Sequence, residues 1–258
     1  MDLQLKGRKA IVTGGTAGIG LAIVNALRAE GVRVVVPGRS QAKLEAAFPG
    51  DDPLVHKVIA DVAGVEGAEA LIATVADVDI LVNNLGIYRA KAFADITDAD
   101  WLDLFEVNVL SGVRLARHYF PRMLAAGWGR VIFISSESGV MTPPEMIHYG
   151  MTKSSQLAIS RGLAELTKGT AVTVNSVLPG PTRSEGIVEF LQSMANPGAS
   201  AAEAEREFFE VHRGSSLLQR LIDASEVANL VAYLASPLSA ATNGAALRVE
   251  GGLLRSIA

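Results

Sequence analysis

Cysteine is absent from the 258-residue sequence, which excludes disulfides and thiolate metal sites and fits a reducing, cytoplasmic setting. Long apolar runs are also missing, for none approaches the roughly 18 residues that a membrane-spanning helix needs. The opening stretch Met1-Asp2-Leu3-Gln4-Leu5-Lys6 has no apolar signal core, and the chain reads as soluble and unexported. Blocks of one charge are lacking too. The formal net charge is −4 with acids and bases interleaved, so nucleic acid and anionic membranes are poor partners. The four histidines, His56, His118, His148 and His212, stand far apart without ligand spacing, and no metal site is expected. What the chain has in quantity is apolar: 49% of residues are hydrophobic and 19% charged. That composition can bury a sizeable core and argues against disorder. No linker, repeat or low-complexity tract divides the sequence, so residues 1–258 read as one α/β domain.

Strand and helix patterns alternate along it. Lys9-Ala10-Ile11-Val12-Thr13 is a short buried strand by its β-branched run. It ends in Gly14-Gly15-Thr16-Ala17-Gly18-Ile19-Gly20, and Leu21 to Leu27 continues as a helix. Strand, glycine turn and helix together aim backbone N–H groups and a positive dipole end at a phosphate. The spacing is G-x-x-x-G-x-G rather than the general G-x-G-x-x-G fingerprint, and a tight turn without a ligand is the alternative. After a second strand, Val32 to Val36, the dinucleotide pattern puts a ribose-binding acid roughly 20 residues beyond the glycines. This chain has Pro37-Gly38-Arg39-Ser40 there instead. An arginine suits a 2′-phosphate, so NADP(H) is favoured over NAD(H).

Further strand patterns deliver polar residues at their carboxyl ends. Leu54 to Ala60 leads to Asp61-Val62, and Val78 to Val82 leads to Asn83-Asn84-Leu85-Gly86. Val131 to Ile134 leads to Ser135-Ser136-Glu137-Ser138-Gly139, Ala171 to Val177 is stopped by Pro179-Gly180-Pro181, and Ala245 to Val249 comes last. Helical patterns lie between them, the longest running from Thr97 to about Ala126 around Asn108. A Rossmann-like, doubly wound parallel sheet of about seven strands follows, with helices on both faces and ligands at the strands' carboxyl ends. Residues 183–222 break the rhythm with two helix-like pieces, 185–195 and 201–212, joined through Asn196-Pro197-Gly198. So long an insertion reads as a lid over the substrate. Its Phe190, Leu191, Met194, Phe208 and Phe209 suit an apolar or acyl substrate, and a packed helix pair explains them equally well.

Tyr149 and Lys153 stand four residues apart and share one face of a helix. A free phenol has a pKa of about 10, and an ammonium one turn away favours the phenolate and lowers that value. Ser136, leaving an apolar strand, can hydrogen-bond the same substrate oxygen. The three together can move a proton on or off a carbonyl or alcohol oxygen. Glu145, Met146 and His148 come just before the tyrosine and are expected to face the substrate or the lid, with Ser138 a secondary substrate contact.

With these motifs in order, the chain resembles the short-chain dehydrogenase/reductase family in its classical form, over about residues 7–252. The likeness rests on Thr13-Gly14-x-x-x-Gly18-Ile19-Gly20, Asn83-Asn84-Leu85-Gly86, Asn108, Ser136, Tyr149, Lys153, Pro179-Gly180 and the late Val249-Glu250-Gly251-Gly252. The resemblance implies hydride transfer between a nicotinamide and a carbonyl or secondary alcohol, of the kind a 3-oxoacyl reductase performs. It makes Tyr149 the general acid/base, Lys153 its tuning cation and a ribose ligand, and Ser136 the group that orients the carbonyl. Asn108 would hold a water in a proton relay to Lys153. Asp61 and Val62 would border the adenine, and Asn83 and Gly86 the dinucleotide path. It also implies a homo-oligomer, a dimer or a tetramer. Two positions depart from the family pattern. Leu85 replaces an alanine, and Ser184 stands where a carboxamide-binding threonine is usual, leaving Thr182 as a second candidate. The alternative is a dinucleotide sensor or scaffold of the same fold, which need not retain Asn108, Ser136, Tyr149 and Lys153 together.

Overall fold

The β-branched stretches become the strands β1 (Lys9–Val12), β2 (Arg33–Gly38), β3 (Val55–Ile59), β4 (Ile80–Asn83), β5 (Trp128–Ile134), β6 (Ala171–Pro179) and β7 (Ala246–Val249). They form one seven-stranded sheet in the order β3-β2-β1-β4-β5-β6-β7, and every neighbouring pair is parallel. The computed structural model describes residues 1–194, 196 and 198–257. The side chains of Glu185, Glu189, Ser193 and Met194 lie outside the described ones, and with them the expectation placed on Met194.

Parallel strands need crossovers, and helices supply them on both faces. On one face α1 (Gly18–Ala29), the short α2 (Gln41–Ala47) and α9 (Ala224–Ala235) cover Ala10, Val12, Val34 and Val36. On the other, α3 (Val65–Thr74), α5 (Ser111–Ala126) and α6 (Ile147–Glu165) cover Ile11, Val35, Leu81 and Val131. Alternate residues of one strand thus feed two cores, and each fully buried Val, Leu or Ile side chain contributes roughly 1.5–3 kcal/mol. No helix among the described residues is long and apolar enough to cross a membrane.

Sheet order reverses beside β1, where β4 takes the side opposite β2. The two chains of connection therefore part at the carboxyl ends of β1 and β4 and leave a crevice between them. The helical pattern expected from Thr97 to Ala126 is α4 (Asp98–Phe105) and α5 with a π turn between them, Glu106–Leu110. The wider turn turns Asn108 inward, where it is buried. In the insertion, α7 (Glu185–Met194) and α8 (Ala201–Val211) share a small core of Leu191, Ala204, Phe208, Phe209 and Leu221. Most of the apolar residues that suggested a cover over substrate are thus spent holding the two helices together.

Candidate active site

At the crevice the chain recognises with its backbone. Helix α1 starts at Ala17 without a side-chain cap and has no acid in its first turn, which leaves its N–H groups and positive end open to an anion. Gly14 and Gly18 have φ of 64° and 51°, a region costly for residues with a Cβ. A Cβ on Gly20 would lie 2.1 Å from the Gly14 carbonyl oxygen. The loop is tied to β4 from below. Thr13 Oγ1 accepts from the backbone N–H groups of Asn84 and Leu85, both at 2.9 Å, and Asn84 Nδ2 donates to the Thr13 carbonyl at 2.9 Å. Across the crevice Ser184 approaches, with its Cβ 3.4 Å from where a Cβ of Gly18 would be. An uncapped helix end and a glycine floor fit the diphosphate of a dinucleotide.

The same cavity, about 440 Å³, continues to Ser136, Tyr149 and Lys153. Strand β5 ends at Ile134 and delivers Ser136, while the first turn of α6 carries Tyr149 and the next Lys153. The lysine is buried, and Nζ donates to the Ile134 carbonyl at 2.9 Å and to Gln156 Oε1 at 3.2 Å. It lies 5.6 Å from the centre of the Tyr149 ring. Burial depresses its pKa to about 8, with the Glu137 carboxylate pulling the other way. The expectation that Lys153 lowers the tyrosine pKa is not met in this structure. Burial first, and the Glu137 charge second, push the Tyr149 phenol above its ordinary value, and its hydrogen bond with the Ser136 hydroxyl only partly opposes them.

Glu137 is the residue that sequence reasoning passed over. It is 5% exposed, and burial raises its pKa against the pull of its hydrogen bonds. Ser136 Oγ donates to its Oε2, and Ser138 Oγ donates to Oε1 at 3.2 Å. Arg213, just after α8 and 7% exposed, brings Nε to 4.0 Å from Glu137 Oε1 and Nη1 to 3.3 Å from Glu145 Oε1. Glu137 stood in plain view between two serines at a strand exit. Arg213 gave no signal, since 76 residues separate it from its partner.

Gly14, Gly18, Ile19, Gly20 and Gly86 line the cavity together with Pro179, Gly180, Thr182, Ser184 and Ser138. Thr182 Oγ1 is used on the Gly180 carbonyl at 2.8 Å, whereas Ser184 Oγ accepts from the Ile187 N–H at 3.3 Å. Leu85 is accommodated by packing against the α3–α5 core. Five expected cofactor residues lie outside the cavity lining: Thr16, Arg39, Asp61, Val62 and Asn83. Arg39 is exposed at the end of β2, Asp61 is exposed beyond β3, and Val62 is buried. Asn83 is buried with both amide atoms unpartnered among the described residues, against the α5 position of Gly112.

Asn108 uses its side chain on Ile87, donating to its carbonyl at 2.9 Å and accepting from its N–H at 2.8 Å. Its own carbonyl accepts from Gln156 Nε2 at 2.6 Å. The Gln156 amide thereby links Asn108 to Lys153. One further expectation changes. His148 does not face substrate. It is fully buried, its ring nitrogens have no hydrogen-bond partner among the described residues, and it meets Trp101 edge-on at 5.9 Å. One residue along a helix is a rotation of about 100°, so its side chain leaves the face that Tyr149 uses. Glu145 faces the insertion through Arg213, and Met146 lines the cavity.

The sequence profile of the short chain dehydrogenases matches residues 8–194. Over its whole length the chain is 46% identical to the full length of an uncharacterized oxidoreductase, YvrD, of Bacillus subtilis. It is 31% identical to the 3-oxoacyl-[acyl-carrier-protein] reductase FabG of Escherichia coli, over 97% of this chain and 99% of that one. Among solved structures, the L-sorbose reductase of Gluconobacter frateurii, complexed with NADPH and L-sorbose, superposes with a TM-score of 0.91 at 28% identity, over 100% of both chains.

Proposed function

From its membership of the short-chain dehydrogenase family we propose that this oxidoreductase is an NADPH-preferring carbonyl reductase with Tyr149 as its proton donor. The observation that carries the reading is one continuous cavity joining the glycine crevice to Ser136, Tyr149 and Lys153. When bound, the nicotinamide supplies the hydride. The chain supplies the rest. Gly14, Gly18 and the first N–H groups of α1 hold the diphosphate, and Gly86 keeps the space beside Lys153 clear. A Cβ there would come within 3.5 Å of Nζ. Ser136, once its hydroxyl turns from Glu137, and Tyr149 orient the carbonyl oxygen, and the phenol proton passes to that oxygen as negative charge develops on it. A phenol held above its ordinary pKa stays protonated at neutral pH, which is the form that reduction needs. The Lys153 ammonium, 5.6 Å from the ring centre, favours the phenolate left behind, and water entering the cavity returns the proton to it.

NADPH is preferred because the loop after β2, Pro37-Gly38-Arg39-Ser40, offers an exposed arginine to a 2′-phosphate and carries no carboxylate of its own to repel one. The NADPH in the sorbose reductase complex supports the same choice. The insertion 183–222 acts as the cover of the substrate end: Ile187, Phe190 and Phe208 line the cavity. A 3-oxoacyl substrate is the second reading, supported by the likeness to FabG. It is weakened because Leu191 and Phe209 are buried between the two helices and not available to an acyl chain. Assembly into a dimer or tetramer belongs to the same reading, with Leu102 and Leu166 exposed on α4 and after α6 as apolar surface for it.

The test is to titrate NADPH and NADH, then follow nicotinamide oxidation with simple ketones, ketoses and a 3-oxoacyl thioester. Saturable consumption of NADPH with at least one carbonyl is expected. Tight NADPH binding with no consumption across all three groups would move the protein to the sensor reading.

A further inference from the structure

Resting on that reading, we propose that Glu137 and Arg213 form a subsite for a hydroxyl group of the substrate, so that the carbonyl reduced is that of a hydroxylated ketone. Both side chains line the cavity that holds Ser136 and Tyr149, and both are more than nine-tenths buried. Arg213 Nε has no hydrogen-bond partner among the described residues, although a buried charged donor left unmade is costly. It faces Glu137 Oε1 at 4.0 Å, too long for a direct hydrogen bond. Nε is closed to solvent in this arrangement, and a slight parting of the pair admits an oxygen at about 2.8 Å from each atom, which must accept from the guanidinium and donate to the carboxylate. A hydroxyl does both at once.

The rest of the cluster holds this opening in place. Arg213 Nη1 donates to the His212 carbonyl at 2.8 Å and to Glu145 Oε1 at 3.3 Å, which ties the far end of the guanidinium down and leaves Nε for the gap. The other oxygen of Glu137 accepts from Ser136 Oγ, so the subsite begins one hydrogen bond from the group that orients the carbonyl. Charge selects further. One guanidinium stands between two carboxyl groups, Glu137 and Glu145, and no surplus positive charge remains for a substrate carboxylate or phosphate. A neutral polyol ketone satisfies the pair, and a plain ketone leaves it open.

The experiment compares carbon-matched ketones with NADPH: acetone against hydroxyacetone and dihydroxyacetone, and butanone against acetoin and erythrulose. Wild type is compared with Arg213→Met and Glu137→Gln, using the ratio of kcat/KM for each hydroxyketone to its parent so that intrinsic carbonyl reactivity cancels between variants. A site built to bond a hydroxyl discriminates strongly against its absence, so the ratio falls about 10- to 100-fold in either variant. NADPH titration and thermal melting report whether each variant is folded; should one fail, the other decides. A ratio that stays at the wild-type value, or both substrates declining in step, overturns the inference and leaves the reductase reading intact. No turnover of any carbonyl by wild type with NADPH bound overturns the reductase reading and this one with it.

Discussion

The two ends of the cleft are made of different material. At the β1–α1 end, contact is by main chain: Gly14, Gly18 and Gly20 expose backbone where any side chain would intrude. At the far end, contact is by long side chains brought from three places, Glu137 after β5, Glu145 before α6 and Arg213 after α8. A backbone site needs particular φ values and empty space, and both conditions are met by one residue type at fixed spacing. A side-chain site needs only that distant residues converge. The first kind leaves a pattern in sequence and keeps its ligand class; the second leaves none and can be re-specified by a few exchanges in a loop.

That contrast can be broken in order of size. The largest effect belongs to the group both ends serve. Tyr149→Phe lowers kcat about 1,000-fold while NADPH titrates as in wild type; retained turnover with a working substrate removes the phenol from the mechanism. Next comes the backbone end. Gly20→Ala puts a methyl 2.1 Å from the Gly14 carbonyl oxygen, and relieving it at a cost of roughly 2–3 kcal/mol weakens NADPH binding about 100-fold. Unchanged affinity means the loop yields more easily than its packing against Asn84 suggests.

Lys153 gives a stability effect with a defined pH window. Its pKa falls from 10.5 when unfolded to about 8 when folded, so the unfolded chain holds the proton more firmly. The folded state is penalised below pH 8, and the penalty fades as pH rises through the interval from 8 to 10.5. The shift corresponds to roughly 3 kcal/mol. Urea melts of wild type and Lys153→Met therefore converge or diverge by about that amount between neutral pH and the top of the window, wild type gaining. Parallel pH profiles contradict a buried, depressed ammonium. The smallest effect is at the exposed Arg39, where Arg39→Ala reduces the NADPH-to-NADH preference about two- to fivefold, the scale of one exposed charge contact. An unchanged preference shifts the phosphate-reading role elsewhere.

Most of the sheet was readable because buried parallel strands are runs of Val and Ile, and each of the seven runs became a strand within three residues of its expected limits. The glycine loop, Ser136, Tyr149 and Lys153 were readable because their spacing along single elements fixes their separation in space. The π turn was not, since Glu106 to Leu110 continues a helical pattern and only the buried Asn108 hints at a distortion. His148 was misread because adjacency in sequence to Tyr149 is a rotation of about 100° on a helix, enough to leave its face. The pKa of Tyr149 was misread for a different reason: spacing to Lys153 carried no information on burial or on Glu137, and those two dominate. Arg213 depends on how α7 and α8 fold back over the sheet, a tertiary fact that no local pattern encodes.

The central claim is reduction of a carbonyl at Tyr149 inside this cavity, and isotope transfer tests it most directly. With NADPH deuterated at the transferring position and a ketone turned over by the wild type, the product alcohol should carry the deuterium on its carbinol carbon, and the Tyr149→Phe protein should yield almost none. Alcohol formed without the label, or labelled alcohol formed equally fast by Tyr149→Phe, contradicts the account.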